Sequence, residues 1–151
     1  MSQVNITKSQ PASYQAMLAL HQVSSTAAGD AGISPKLVEL IKIRASQING
    51  CAYCLRMHVA DAVKLGETTD RLAVLSAWRE TTGYFDDAEI AALEITEYVT
   101  EIATTELSED IRARIGSALS EEQIAAVHWL AIVINAFNRI AISSHYSVAP
   151  A

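Results

Sequence analysis

Apolar residues recur along the chain at helical spacing almost from end to end, and no run alternates apolar with polar as a half-buried strand would. A first helix is predicted from about Ser13 to Ala27, stopped by the glycine-containing stretch that ends at Gly32. Ser34-Pro35 then supplies an N-cap and a proline at the first helical position. The helix it opens carries Leu37, Ile41, Ala45 and Ile48 on one stripe and stops at Asn49-Gly50, residues that accept a left-handed turn. A third helix is predicted from near Cys51 to Gly66 and a fourth from about Thr69 to Arg79. Asp86 with Glu89 has capping-box spacing for a fifth helix reaching about Thr104. Ser108 caps a short sixth, and Ser120 with Gln123 caps a last one ending near Ile142. The pattern predicts a single all-α domain, a bundle of about six to seven helices over 13–142. It lies between a flexible segment at 1–12 and a tail at 143–151.

From Ile124 to Ile142 the last helix is apolar on nearly every side, interrupted only by His128, Asn135, Asn138 and Arg139. Those four groups argue against a membrane span and for a buried helix. A helix apolar all round must be covered all round. A chain of 151 residues has little material left to do so, and a homo-oligomer is therefore expected. Composition adds limits. Half the residues are hydrophobic, enough for a core without disulfide or metal staples, while 6 Gly and 3 Pro are too few for the turns of a sandwich or barrel. With 11 basic and 17 acidic residues the net charge is −6, which removes the main electrostatic term for nucleic-acid binding. Met1 to Pro11 holds one lysine and no apolar run, so no secretory signal is read there and a cytoplasmic location is expected.

The candidate chemistry lies in Cys51-Ala-Tyr-Cys54-Leu-Arg-Met-His58. On a helical wheel with Cys54 at zero, His58 falls at roughly 40° and Cys51 at roughly 60°. Leu55, Ala62 and Leu65 share that side, so both thiols and the imidazole are placed on the inward face. The thiolate is the reactive form of cysteine, and a helix N-terminus or a neighbouring imidazole lowers a thiol pKa toward it. Cys51 begins the helix and Cys54 meets His58 one turn on; two cysteines at this spacing can close a disulfide once one is oxidised. Two carboxylates compete to orient His58. Asp61 lies beside it on the same helix. Glu39 stands at a matching depth on the preceding helix, if the two form an antiparallel hairpin about Asn49-Gly50. By the wheel, however, Glu39 points roughly 160° from its own apolar stripe, beside Lys36 and Lys42, and reads as a solvated ion-pair residue.

Glu39, Cys51-x-x-Cys54 and His58 at these spacings resemble the core motif of the AhpD-like alkylhydroperoxidases, in the carboxymuconolactone decarboxylase superfamily. The phrase from Leu40 to Thr68 and the Ile134-Asn-Ala-Phe-Asn-Arg139 segment are similar too, so the likeness runs from about Ser34 to Ile142. It implies an all-α subunit assembled into trimers or hexamers, and a cysteine peroxidase that uses no haem, metal or other cofactor. It further implies Cys54 as the peroxidatic thiol, Cys51 as the resolving thiol, and His58 with Glu39 as a proton relay, against the wheel reading of Glu39. The partners implied are a hydroperoxide and a dithiol reductant such as a lipoyl protein or a thioredoxin-like donor. One departure stands at Tyr53, where the family's peroxidases carry a second histidine; tyrosine is a poor base. The decarboxylases of the superfamily lack the cysteine pair.

Alternatives remain open at this point: a decarboxylase-like lyase, or a non-catalytic redox-sensing or zinc-binding oligomer. Zinc would take Cys51, Cys54 and His58, with Asp61 or Glu39 fourth, although such sites usually draw ligand pairs from two elements. Asp61 otherwise reads as a partner for Lys64, and Tyr53 as a shaper of the site. His21, His128 and His145 find no partners in the sequence and read as core or surface residues; Trp78 and Trp129 read as core. Leu55, Met57 and Leu65 are expected to offer an apolar face to an organic hydroperoxide.

Overall fold

A computed structural model describes residues 3–150, and among them there are helices and no strands. They are α1 (Ile6–Ser9), α2 (Pro11–Asp30), α3 (Pro35–Asn49), α4 (Ala52–Lys64) and α5 (Thr69–Val74), then a 3-10 turn (Leu75–Glu80). The chain continues through α6 (Asp87–Thr100), α7 (Glu109–Ala118) and α8 (Glu121–Ser143). The start signals act as the sequence predicts. Ser34 Oγ accepts from Leu37 N, and Asp86/Glu89 and Ser120/Gln123 both form complete capping boxes.

The segment at 1–12, expected to be flexible, instead carries α1 and the first residues of α2; Met1 and Ser2 lie outside the described residues. Asn5 caps α1, and α1 is tied to the tail by Ile6 N donating to Ser144 Oγ at 3.2 Å and by Thr7 Oγ1 against Tyr146 Oη at 3.2 Å. Ala151 of the tail is likewise outside the described residues. The fourth predicted helix breaks at Ala77 (φ −121°, ψ 29°). There the indole of Trp78 turns inward to donate to Glu97, and Arg79 pairs with Glu94 and Glu97. Tertiary hydrogen bonds thus override a continuous helical propensity.

α3 packs against α4, α6 and α8, and α8 packs against α2, α3 and α6. Leu40, Ile41, Ile43, Leu93 and Ile95 are sealed between them, each worth about 1.5–3 kcal/mol of burial. α8 is long and apolar enough to cross a membrane by length and composition, yet here it is the common wall of the bundle. Its own chain covers the sides that face α2, α3 and α6, and half of its apolar window is buried. What stays open is the stripe with Trp129 (49% exposed) and Ile132, so Trp129 is not the core residue expected, whereas Trp78 is.

Beneath the bundle a buried network joins α3, α6 and the 3-10 turn: Glu97 accepts from Arg44 Nε (2.7 Å), Trp78 Nε1 (2.8 Å) and Arg79 Nη2 (2.7 Å). Burial pushes its carboxyl up, but these hydrogen bonds outweigh that and hold it below its ordinary value. A depressed folded pKa contributes stability above the ordinary value, lost as pH falls through the folded one. Glu97→Gln is accordingly expected to lower unfolding stability by about 3 kcal/mol at neutral pH and to flatten its acid dependence. Urea unfolding at neutral pH and near pH 3 checks both parts.

Candidate functional site

The turn that builds the site is set by sequence. Asn49 ends α3 and Gly50 takes the left-handed conformation (φ 67°, ψ 33°). Gly50 N donates to Gln47 O and Cys51 N to Ser46 O, the paired bonds of a Schellman closure. Asn49 Nδ2 is gripped by the side-chain oxygens of Asn135 and Asn138, both at 2.9 Å, and Asn138 in turn donates to Ser46. These asparagines, together with Arg139 bonded to Asn135, are structural: they fix the α3–α4 corner against α8.

Cys51 is at once the last residue of that closure and the N-cap of α4, where its Sγ accepts from Cys54 N at 3.4 Å. The two cysteines are joined as a disulfide, with Cα atoms 5.4 Å apart. Both are buried, with Ala141 and the ring of Tyr146 against them. Reduced, both thiols would sit in the first turn of α4, where the helix dipole favours the thiolate.

His58 and Ala62 follow on the buried face of α4, as predicted, but Leu55 packs into the main core and Leu65 is exposed. Of the three side chains expected to form the apolar surface, only Met57 lines the cavity.

The wheel misplaces Glu39. It is 7% exposed, and its Oε2 meets His58 Nδ1 at 2.8 Å while Oε1 accepts from Lys42 Nζ at 2.8 Å. The pairing with Lys42 was legible; the burial was not. α3 is the central helix, buried at Glu39, Leu40 and Ile43 as well as along the stripe of Leu37 and Ile41, so a single-faced wheel does not describe it. Burial pushes the Glu39 carboxyl up, but hydrogen bonds from His58 and Lys42 outweigh it and hold it below its ordinary value. An ionised carboxylate can only accept, so His58 Nδ1 donates to Glu39, and in the neutral ring the lone pair lies on Nε2.

Asp61 is half-exposed and bonded to Lys64 at 3.0 Å, although one of its oxygens comes within 4.8 Å of the Glu39 and His58 ligand atoms. The thiolate zinc set weighed above is not assembled here, because the sulfurs are bonded to each other.

Cys54 and His58 open on a cavity of about 240 Å³ between α2, α4 and α8. Its wall is apolar along Leu18, Met57, Val133, Phe137 and Ile140, and polar at Tyr14, Tyr53, Tyr146, Lys42 and His21. Tyr53 is half-open and meets Tyr146 edge to face at 5.0 Å. Sequence reasoning passed over Tyr14 and Tyr146 and read His21 as a core or surface residue without a partner, whereas it lines the cavity; Tyr14, Leu18 and His21 at helical spacing on α2 were the available signal. His128 is bonded to Ile124 O, and His145 is exposed with a left-handed backbone (φ 52°).

Comparison with known proteins agrees with this architecture. Residues 11–98 match the model of the carboxymuconolactone decarboxylase family. The chain is 42% identical over 105 residues to the uncharacterised protein YdfG of Bacillus subtilis (strain 168), covering 70% of this chain and 71% of that one. It superposes with a TM-score of 0.88 and 30% identity, over the whole of both chains, on a crystal structure from Agrobacterium tumefaciens. That protein is of unknown function and is provisionally named the antioxidant defence protein AhpD.

Proposed function

The chain belongs to the carboxymuconolactone decarboxylase family and has the AhpD-like fold, and from that premise we propose that it is a thiol-dependent peroxidase. The observation that carries the reading is the Glu39–His58 bond beside a buried cysteine pair at a helix N-terminus, opening on an apolar cavity. Such a cavity suits organic hydroperoxides.

In the reduced protein His58 Nε2 takes the Cys54 proton, and Glu39 stabilises the imidazolium that results. The thiolate attacks the terminal oxygen of the hydroperoxide: an S–O bond forms, the O–O bond breaks, and the alkoxide leaves as alcohol with the proton held by His58. Cys51 then attacks the sulfenic acid on Cys54, forming the disulfide and releasing water. A dithiol of the lipoyl or thioredoxin-like kind reduces it by exchange, leaving as its own disulfide.

The test is oxidation of dihydrolipoamide dependent on cumene hydroperoxide, using metal-free protein. Steady turnover of the native chain, slowed in His58→Ala, is expected; a reduced native chain that turns over no peroxide sinks the reading.

The working form is a homotrimer or homohexamer. Val23 (66% exposed) and Leu20 on α2 border Trp129 on α8, with Ile132 also exposed three residues further along that helix, an apolar face with the composition of a subunit contact. Light scattering of the native chain should give a multiple of the monomer mass, and Trp129→Glu should lower it toward one subunit with helicity retained. A native monomer overturns this assembly.

A further inference from the structure

α2 sends Tyr14, Leu18 and His21 into the cavity from the side facing α4 and α8. Among the described residues the rings of His58 and His128 have hydrogen-bond partners. His21 is held differently: its ring stands edge-on to Phe137 (centroids 5.6 Å, 88°), another lining residue, and among the described residues its nitrogens have no hydrogen-bond partner.

The peroxide step leaves a task for such a group. Sulfur, the oxygen being transferred and the oxygen that leaves must lie in line for the O–O bond to break. The leaving oxygen is therefore directed away from Cys54, into the cavity, as it gathers negative charge. His58 serves the sulfur, and its Nδ1 is committed to Glu39. A neutral donor on the opposite wall would meet that oxygen early, before the proton arrives.

We infer that His21 is a further catalytic residue, donating a ring N–H hydrogen bond to the alkoxide oxygen as it leaves the peroxide. His58 still delivers the proton, so atoms and charge balance as in the step above; His21 stabilises the charge before the proton arrives. Burial, then the positive charges of Lys42 and His58, lower the His21 pKa, with Glu39 opposing them only in part. A neutral imidazole carries one N–H, which is the form this role uses. The inference rests on the peroxidase reading.

The test separates the half-reactions. Reduced protein is mixed with cumene hydroperoxide and its free thiols are followed through one turnover; separately, the disulfide is reduced with dihydrolipoamide. His21→Ala and His21→Phe are expected to slow thiol oxidation about a hundredfold, the scale of one lost donor to a developing oxyanion, and to leave dithiol reduction within about twofold of native. His21→Gln, which returns an N–H donor, should recover most of the oxidation rate. A His21→Phe that oxidises as fast as native, or a His21→Gln as slow as His21→Ala, overturns the inference while the peroxidase stands. Equal slowing of both half-reactions makes His21 structural and overturns it too. A native protein inert to peroxide overturns both.

Discussion

Cys54→Ser is expected to reduce peroxide turnover at least about 10³-fold, to the uncatalysed level, because it removes the sulfur to which the proposed mechanism gives the attack on the hydroperoxide. Cys51→Ser should behave differently. With its resolving thiol gone, the protein should consume one peroxide per chain and stop at a Cys54 sulfenic acid, which dimedone traps as an adduct of defined mass. The fold makes the comparison clean. Cys51 is the N-cap of α4 and accepts from Cys54 N, and serine is among the best N-caps, so the helix start survives the change. Cys54 is buried against Ala141 and Tyr146, where serine fits the volume. Dimedone labelling at Cys51 in Cys54→Ser, with none at Cys54 in Cys51→Ser, would exchange the two roles. Turnover untouched by both changes would dismiss thiol chemistry and return attention to a lyase.

Much of the fold could be read along the chain because its helix starts are local devices. Ser34, Asp86, Ser108 and Ser120 satisfy amide groups within three residues of themselves, and such bonds do not depend on the rest of the molecule. The failures came where tertiary contacts decide. The break at Ala77 follows from Trp78 and Arg79 reaching Glu97 and Glu94 on α6, residues distant in sequence. α8 packs on α2, α3 and α6 and keeps one stripe open at Trp129 and Ile132; which of its sides the chain itself covers is decided by tertiary packing, and no count of apolar residues reveals it.

The site divides the same way. Cys51, Cys54 and His58 lie on one face within the first two turns of α4, so their common burial followed from spacing alone. Glu39 required the geometry of a second helix, and an amphipathic wheel assumes the single buried face that central α3 does not have. The family motif supplied what periodicity could not. Asp61 shows the converse: adjacent to His58 on the wheel, it is bonded to Lys64 and half-exposed, while the buried carboxylate on α3 holds the imidazole.

That division of labour between the carboxylates gives the second large effect. Glu39→Gln keeps the shape and an oxygen that can accept from His58 Nδ1, but removes the charge. Lys42, now within 2.8 Å of no carboxylate oxygen at that position, is left as a part-buried, unpaired cation in the site. Both changes disfavour imidazolium, the state His58 enters in the proposed mechanism when it takes the Cys54 proton. Oxidation of Cys54 by peroxide should fall by about 10²- to 10³-fold. Lys42→Met added to Glu39→Gln should then restore part of the loss by removing the unpaired positive charge. Asp61→Asn should change the rate by no more than about twofold, since its exposed pair with Lys64 is screened. The pH dependence has a definite sign. The Glu39 carboxyl is held below its ordinary value of 4.5, so it stays ionised as pH falls through that value, and the relay keeps its anion throughout the neutral and mildly acid range. The stability that Glu39 contributes is complete above 4.5 and lost only as pH drops through the lower folded value; Glu39→Gln should erase that acid loss along with the rate. Stopped-flow thiol oxidation and acid unfolding of the same variants read the two effects independently. A Glu39→Gln protein that oxidises at the native rate would leave His58 without its relay partner and end the role assigned to Glu39.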